Sequence, residues 1–420
     1  MSKYEKLFGP DKSKDSEENK NQLLHEPSQN QQQSLGQNPL GSQQYGANQQ
    51  QISPNPNLPL QNDQNPNQPP PYEQCQNQPP QYNQNPNQPT YNSLQPFNQG
   101  STSQQIHPQL SELDQVKIDL DAANLRIAMK GLSTDKEAII KLIAHRKNRE
   151  RLMMIDSYKK QFNRELLKDL KSKLSGHFQE AVLALFHDPI SYDCWSLQKA
   201  MKGIGTNEDT LIEILATRPN YYINDIKKKY LELYQRTLEG DLASDLSGDL
   251  KKVMLTLASA FRSENMNPNQ VDCFDMAEKL YKAGRGKKIG TDENVFYDIL
   301  TKASGPELKL IDENYNKQYE HGLLKAIDKE FSGKMKKLLQ TIVYCSINPS
   351  EYFATRVNYA VKGLGTKDHL LIRIIITRHE IDIPQIKEAY QNLYNKDMVK
   401  DIEDDTSGDY RKLLVELCSS

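Results

Sequence analysis

Four short turns recur along the chain, and a charged residue follows each turn at a constant distance. The turns span residues 129–134, 201–206, 287–291 and 361–366. The residue before each final threonine lies 40 positions before a charged residue, which gives the pairs Ser133 and Lys173, Gly205 and Asp245, Gly290 and Glu330, and Gly365 and Asp405. A Ser-Gly pair follows each charged residue, ending at 176, 248, 333 and 408. A spacing held in four copies predicts that the two loops of each copy meet in space.

An acidic residue beside a glycine turn has the chemistry of a calcium site. Calcium takes about six to eight oxygens from carbonyls, carboxylates and water. In the second copy the glycines allow the loop to curl, so that the carbonyls of Met201, Gly203 and Gly205 can face one point. Asp245 would close the site from the later loop. Such a site leaves part of the shell open, and phosphoryl oxygens of a lipid head group could complete it.

Helices must position these loops. The Ser-Gly glycines lie 72, 85 and 75 residues apart, which indicates four units of similar size. Apolar residues after the turn follow helical spacing, as in Leu211, Ile214 and Leu215. We therefore predict an all-α core with about five helices per unit. We also interpret Thr134 and Thr206 as the residues that cap the helix after their turns.

The composition divides the chain near residue 110. Between residues 21 and 110, 40 of 90 residues are Asn or Gln, and this stretch contains no Lys or Arg. It has too few apolar side chains to offset the entropy of ordering, so we predict a disordered tail over 1–110. The remaining residues, 111–420, are expected to hold the four units at about 119–187, 190–260, 272–346 and 349–419.

Several functional classes lack support in the sequence. The eight histidines show no HExxH spacing and no GxSxG motif occurs, so we do not expect an enzyme. Acidic and basic residues nearly balance after residue 110, which argues against nucleic-acid binding. The five cysteines are scattered and no apolar signal segment or spanning run is present. We expect a cytoplasmic protein that meets membranes from their surface when calcium rises.

The turns and their acidic partners closely resemble those of annexins. The resemblance rests on the MKGxGT turn, the acidic residue 40 positions later, Tyr192-Asp193 and the Thr-Arg pairs at 217–218 and 377–378, and it covers about 111–420. It implies four five-helix repeats in a curved disc, with calcium loops that bridge to anionic phospholipid. It also implies that the long tail occupies the place of the variable annexin N-terminal region.

The resemblance implies cation ligands in repeats two, three and four. Repeat two matches fully, through Met201, Gly203, Gly205 and Asp245. Repeat four matches through Val361, Gly363, Gly365 and Asp405, where Val361 contributes only its carbonyl. In repeat three the matching residues are Gly286, Lys288, Gly290 and Glu330.

Repeats one and three depart from the family pattern. The repeat-three loop carries one extra residue relative to the family, which leaves open whether Gly286 or Gly284 donates, and Ile289 stands where family loops can carry an exposed Trp. Trp195, the only tryptophan, is expected in the core of repeat two. In repeat one Ser133 and Lys173 replace the second glycine and the carboxylate. An ammonium has no lone pair and repels Ca²⁺, so we predict no standard site there. Lys173 is read either as a solvated charge, which we favour, or as a direct contact to lipid phosphate.

The tail contains two PPxY sequences, which are typical ligands of WW domains. They are Pro69-Pro70-Pro71-Tyr72 and Pro79-Pro80-Gln81-Tyr82. Binding to an EF-hand protein is an alternative that some annexin tails suggest, and chance occurrence in a Pro/Gln-rich tract is a third interpretation.

The combined expectation is a protein that binds anionic phospholipid membranes in a calcium-dependent way, with membrane clustering or trafficking as the role this binding could serve. The alternative is a calcium-independent cytoskeletal or scaffolding protein built from helical repeats, with an interaction tail. Sedimentation with lipid vesicles in calcium and then in chelator separates the two.

Overall fold

The computed structural model describes residues 112–131, 133–363 and 365–419. Within these residues there are twenty helices and no strand. The expected all-α class is therefore confirmed for the described part of the chain. The expectations for the tail, including disorder and the two PPxY sequences, lie outside the described residues.

The helices fall into four groups of five. Repeat one contains α1 Glu112–Ala128, α2 Lys136–Ala144, α3 Asn148–Phe162, α4 Leu166–Lys173 and α5 Gly176–Leu185. Repeat two contains α6 Pro189–Met201, α7 Glu208–Thr217, α8 Asn220–Tyr234, α9 Leu238–Asp245 and α10 Gly248–Ala258. Repeat three contains α11 Gln270–Ala283, α12 Glu293–Lys302, α13 Gly305–Tyr319, α14 Leu323–Glu330 and α15 Gly333–Ile347. Repeat four contains α16 Pro349–Val361, α17 Asp368–Arg378, α18 Ile383–Tyr394, α19 Met398–Asp405 and α20 Gly408–Ser419.

The same local signals end the third helix of every repeat. A non-glycine residue in the left-handed conformation follows each of these helices, at Asn163, Gln235, Glu320 and Asn395. Its N–H donates to a carbonyl of the last turn, as in Asn163 N–H to Lys159 at 2.9 Å. This bond satisfies a carbonyl that the helix end would otherwise leave unpaired. The helix stops sharply, and the fourth helix can then turn toward the glycine loop.

The predicted caps after the glycine turns were wrong by one residue. Asp135, and not Thr134, accepts from Ala138 N–H at 2.9 Å. Asn207, and not Thr206, accepts from Thr210 N–H at 3.1 Å. The reason in repeat two is that the Thr206 hydroxyl is engaged elsewhere, as described below.

Two apolar clusters form the core, and each of them combines two repeats. One contains buried residues of repeats one and four, including Leu125, Ile139 and Ile374. The other contains buried residues of repeats two and three, including Leu211 and Phe296. Trp195 on α6 is partly buried against the first cluster. The first and the last repeats therefore share a core although they are farthest apart in the sequence.

None of the helices in the described part of the chain is both long enough and apolar enough to cross a membrane.

Candidate cation sites

One backbone hydrogen bond closes the glycine turn in every repeat. The residue after the turn's threonine donates its N–H to an alanine near the end of the preceding helix, at 2.7–2.9 Å. The pairs are Asp135 and Ala128, Asn207 and Ala200, Asp292 and Ala283, and Lys367 and Ala360. These bonds join residues seven positions apart in repeats one, two and four, and nine positions apart in repeat three. The repeat-three loop is therefore two residues longer than the other loops of this chain.

The glycines of the turns in repeats two and four share a backbone conformation that other residues rarely adopt. Gly203 and Gly205 have φ angles of 106° and 83°, and Gly363 and Gly365 have φ angles of 131° and 82°. All four glycines lie in the region that is strained for residues with a Cβ. The two loops are also exposed. They have the curled and accessible backbone that the proposed carbonyl ligands require.

A threonine joins each of these loops to its acidic partner. The Thr206 hydroxyl donates to Asp245 Oδ2 at 2.6 Å. The Thr366 hydroxyl contacts Asp405 Oδ2 at 2.7 Å. Each pair is separated by 39 residues. The structure therefore brings together the two loops that the constant spacing predicted to meet, and the contact fixes the carboxylate beside the glycine turn.

The carboxylate of Asp405 is held in surroundings that disfavour its charge. Burial, together with the nearby carboxylate of Asp368, raises the pKa of Asp405 although the Thr366 hydrogen bond lowers it. A cation next to Asp405 would offset both unfavourable effects. A carboxylate in such surroundings is suited to bind a positive ion.

Repeat three has the same contact on a different loop. The Thr291 hydroxyl donates to Glu330 Oε2 at 2.5 Å, and Gly290 has a φ of 69°. An added Cβ at Gly284 would lie 3.1 Å from Glu330 Cδ, whereas one at Gly286 would lie 2.8 Å from the Tyr281 ring. Gly284 therefore lies beside the carboxylate, but its carbonyl already accepts from Lys287 N–H at 2.8 Å. Lys288, also expected to donate its carbonyl, lies on the exposed part of the loop.

In repeat one a lysine makes the contact between the two loops. Lys173 Nζ donates to the carbonyl oxygen of Gly131 at 3.3 Å. Ser133 stands where repeats two and four have a glycine of positive φ, and its own φ is not positive. The ammonium thus engages a carbonyl of the type that would otherwise face a metal ion. Both the charge and the backbone of this loop differ from those of a calcium site.

The three threonines were the residues that the sequence interpretation missed. Thr206, Thr291 and Thr366 were available as a signal, because each lies 39 residues before its acidic partner, as constant a spacing as that of the glycines. For Thr206 the interpretation as a helix cap obscures this role as the link between the loops.

The comparisons with known proteins cover the same four units. The family model described as Annexin matches residues 120–185, 192–257, 275–342 and 352–417. Human annexin A7 is 43% identical over 297 residues, which are 71% of this chain and 61% of that protein. The chain therefore matches less than two thirds of that relative's length. Human annexin A1 is 41% identical over 300 residues, which are 71% of this chain and 86% of that protein.

Solved structures give the same result at the level of the fold. The structure of annexin III superposes with a TM-score of 0.70 at 37% identity, covering 75% of this chain and 95% of that one. A structure described as calcium-bound annexin (Sm)1 has a TM-score of 0.64 at 32% identity, covering 72% of this chain and 90% of that one. Annexins as a family are calcium-dependent phospholipid-binding proteins. The family model, the relatives and the fold agree, and this chain belongs to the annexin family.

Proposed function

We propose that this protein binds anionic phospholipid membranes when calcium bridges its glycine loops to lipid phosphates. The observation that carries the proposal is the threonine contact that holds Asp245, Glu330 and Asp405 beside exposed glycine loops. These carboxylates are half-buried and thus fixed in place, while the loops remain open to solvent. A lipid phosphate could complete the coordination shell from the open side.

The donor set fits calcium in repeats two and four. In repeat two the ligands are the carbonyls of Met201, Gly203 and Gly205 with the carboxylate of Asp245. In repeat four they are the carbonyls of Val361, Gly363 and Gly365 with the carboxylate of Asp405. Oxygen donors in a flexible loop suit Ca²⁺ better than metals that prefer nitrogen or sulfur. For repeat three we propose the carbonyls of Lys288 and Gly290, a carbonyl of either Gly286 or Gly284, and the carboxylate of Glu330.

Calcium would also change the charge of the membrane-facing loops. The protein has a formal net charge of −2, so it has little bulk attraction to anionic lipid. Three bound Ca²⁺ ions would bring about six positive charges to these loops. Calcium then serves both as a bridge and as a switch.

The experiment is co-sedimentation of the full chain with phosphatidylserine vesicles across a calcium titration, followed by excess chelator. Pelleting that requires calcium and reverses with chelator is the expected result. Pelleting without calcium would overturn the bridging mechanism, and no pelleting at millimolar calcium would leave the scaffold function instead. Equilibrium dialysis of calcium with Glu330→Gln, in the presence of the same vesicles, tests repeat three. Loss of one bound ion is expected, whereas unchanged stoichiometry would remove that repeat from the proposal.

Two apolar side chains at the tips of the loops should strengthen membrane binding. Ile204 and Ile289 are almost fully exposed, and each directly precedes a glycine of a proposed site. Complete burial of such a side chain contributes about 1.5–3 kcal/mol, so partial insertion of both should be measurable. We expect Ile204→Ser with Ile289→Ser to raise the lipid concentration for half-maximal pelleting by about tenfold. Ile381→Ser is the control, because Ile381 is also exposed but lies outside the glycine turns. Equal pelleting by the wild type, the double variant and the Ile381→Ser control would contradict membrane insertion of Ile204 and Ile289.

Repeat one offers a gain-of-function test. Replacing Ser133 with glycine and Lys173 with aspartate supplies the two features that distinguish this loop from repeats two and four. We expect the double variant to bind one additional calcium ion, measured by equilibrium dialysis in the presence of vesicles. Lys173→Ala alone should add none, because it removes the ammonium without supplying a ligand. An unchanged ion count in the double variant would show that other features of the loop prevent binding.

The tail partners remain a prediction, since the PPxY sequences lie outside the described residues.

A further inference from the structure

A second group of metal-ligating side chains lies between the first and the last repeats. His177 and Glu180 are on α5 of repeat one, and His369 is on α17 of repeat four. One ligand atom from each of the three side chains lies within 4.8 Å of the others. None of the three belongs to a glycine turn or to its acidic partner. They were also invisible as a motif, because His369 is far from the other two in the sequence.

Both imidazoles face the same carboxylate with the same ring nitrogen. His369 Nδ1 lies 2.9 Å from Glu180 Oε1. His177 Nδ1 lies 3.4 Å from Glu180 Oε2. The two rings are close to perpendicular, with centroids 5.8 Å apart. An ion between them would meet two nitrogens and one oxygen, which are the three protein ligands of one type of zinc site.

A fourth side chain already orients one of the imidazoles. His177 Nε2 lies 3.3 Å from Asp368 Oδ2, on the side of the ring away from Glu180. Metal-bound histidines commonly donate their second ring N–H to a carboxylate, which fixes the tautomer that leaves the other nitrogen free to bind. The contact therefore prepares His177 Nδ1 as a ligand.

Lys199 competes with an ion for the carboxylate of Glu180. Lys199 Nζ now lies 3.0 Å from Glu180 Oε1 and would have to give way to an ion. Its side chain is about half exposed, at 48%, and it borders a surface cavity of about 130 Å³ that Glu180 and His369 also line. The ammonium thus has space to move away.

The remaining adjustment is small. Ligand atoms about 2.0–2.1 Å from a tetrahedral ion lie roughly 3.3–3.4 Å from one another. The two contacts to Glu180, at 2.9 and 3.4 Å, are already near this value. The two contacts use different oxygens of Glu180, so the carboxylate must turn until one oxygen faces both imidazoles. The imidazoles must also approach each other, and both side chains are exposed enough to rotate, at 47% for His177 and 62% for His369.

We propose that His177, Glu180 and His369 bind a zinc ion, with water as the fourth ligand, and that this ion links repeat one to repeat four. Two imidazole nitrogens favour zinc over calcium, which prefers oxygen. The site would therefore be filled independently of the glycine loops. It would also connect directly the two repeats that share one apolar cluster.

The test is a titration of Zn²⁺ alone into the full chain, after removal of metals and in saturating calcium so that the glycine loops are occupied. Isothermal calorimetry is expected to show one zinc ion that is lost, or weakened by at least about 100-fold, in His177→Gln with His369→Gln. Asp368→Asn should weaken the same ion by about 10–100-fold, because it removes only the orienting contact. Histidines and the cysteine in the tail are unchanged in every variant, so any zinc they bind appears equally in all titrations.

His145→Gln is the matched control. His145 is similarly exposed, lies on the same repeat and pairs with Glu416 at 2.8 Å, but is outside the cluster. The His145→Gln variant should bind zinc as the unchanged protein does. Zinc should raise the melting temperature of this control and leave that of the double variant unchanged. An identical zinc isotherm in the double variant and in the control would overturn the proposal. If the double variant does not fold, His369→Gln alone gives the same comparison, because it removes one ligand at the surface.

Discussion

Replacing Asp245 and Asp405 together with asparagine is expected to remove two calcium ions and most calcium-dependent vesicle binding. Asparagine keeps an oxygen that accepts the threonine hydroxyl, so the loops should stay together while the ligand charge is lost. Loss of a residue that only orients a metal ligand typically costs about 10–100-fold in metal affinity, and loss of a direct ligand should cost at least as much. The calcium concentration for half-maximal pelleting with phosphatidylserine vesicles should therefore rise by at least about tenfold for each single variant. The double variant should retain only the contribution of repeat three.

The matched control is Asp225→Asn with Asp404→Asn, which removes the same charge. Asp404 directly precedes Asp405, yet it is exposed and pairs with Lys400 at 3.7 Å. Asp225 pairs with Lys228 at 3.5 Å on the surface of α8. Exposed pairs of this kind contribute little, so pelleting should not change. If the control loses as much binding as the test variant, the effect reflects net charge and the carboxylates are not ligands.

A second large effect is expected on stability, at a buried acid between α7, α16 and α17. Glu213 is buried, with its Oε1 2.8 Å from Arg373 Nε and its Oε2 3.7 Å from Arg356 Nε. Both arginines are also buried. Glu213→Gln would leave the two guanidinium groups without a countercharge, which typically costs about 3–5 kcal/mol. For roughly 300 ordered residues this corresponds to a fall of about 5–8 °C in the melting temperature, measured by calorimetry.

The stability of this cluster should also depend on pH. Burial disfavours the charge of Glu213, but the charges of Arg373 and Arg356 outweigh it and keep the pKa of Glu213 below its ordinary value. A group with a lowered pKa in the folded state stabilises the protein above its unfolded pKa, near 4.3, and loses this contribution as the pH falls further. The difference in melting temperature between the wild type and Glu213→Gln should therefore be constant near pH 7 and shrink in acid.

A compensating variant separates the charge from the packing. Replacing a buried ion pair with apolar residues of similar volume is often neutral or stabilising. Glu213→Leu with Arg356→Met and Arg373→Met should therefore recover most of the stability that Glu213→Gln loses. Glu232→Gln, on an exposed pair with Lys229, should change little. A triple variant no more stable than Glu213→Gln would mean that the ion cluster itself favours the fold.

The sequence predicted those parts of the fold and site that depend on regular spacing. The apolar stripe at Leu211, Ile214 and Leu215 indicated a helix, and all three residues are buried on α7. The constant distance from Gly205 to Asp245 predicted that their loops meet, and the Thr206 contact bears this out. Both predictions rest on a pattern repeated four times, so that each copy supports the others.

What the sequence could not predict depends on single contacts between distant residues. The proposed zinc site combines α5 with α17, and the buried acid Glu213 meets arginines of repeat four. No local pattern marks either group, because the partners are brought together only by the packing of whole repeats. The hydrogen bond from Lys173 to the carbonyl of Gly131 was predictable only in part. Its spacing was visible, but the sequence suggested only a solvated charge or a contact to lipid phosphate. The contact to the Gly131 carbonyl depends on a rotamer that spacing does not determine.

The sharing of one apolar cluster by the first and last repeats has a consequence for biosynthesis. Repeats two and three are adjacent in the chain and can pack against each other as soon as both have left the ribosome. Repeat one cannot complete its core until repeat four is made, and α5 ends at Leu185 whereas α20 ends at Ser419. At translation rates of about 5–20 residues per second, the apolar face of repeat one therefore remains uncovered for roughly 10–50 s before repeat four is complete. During that interval the nascent chain presents an unpaired surface of the kind that chaperones recognise.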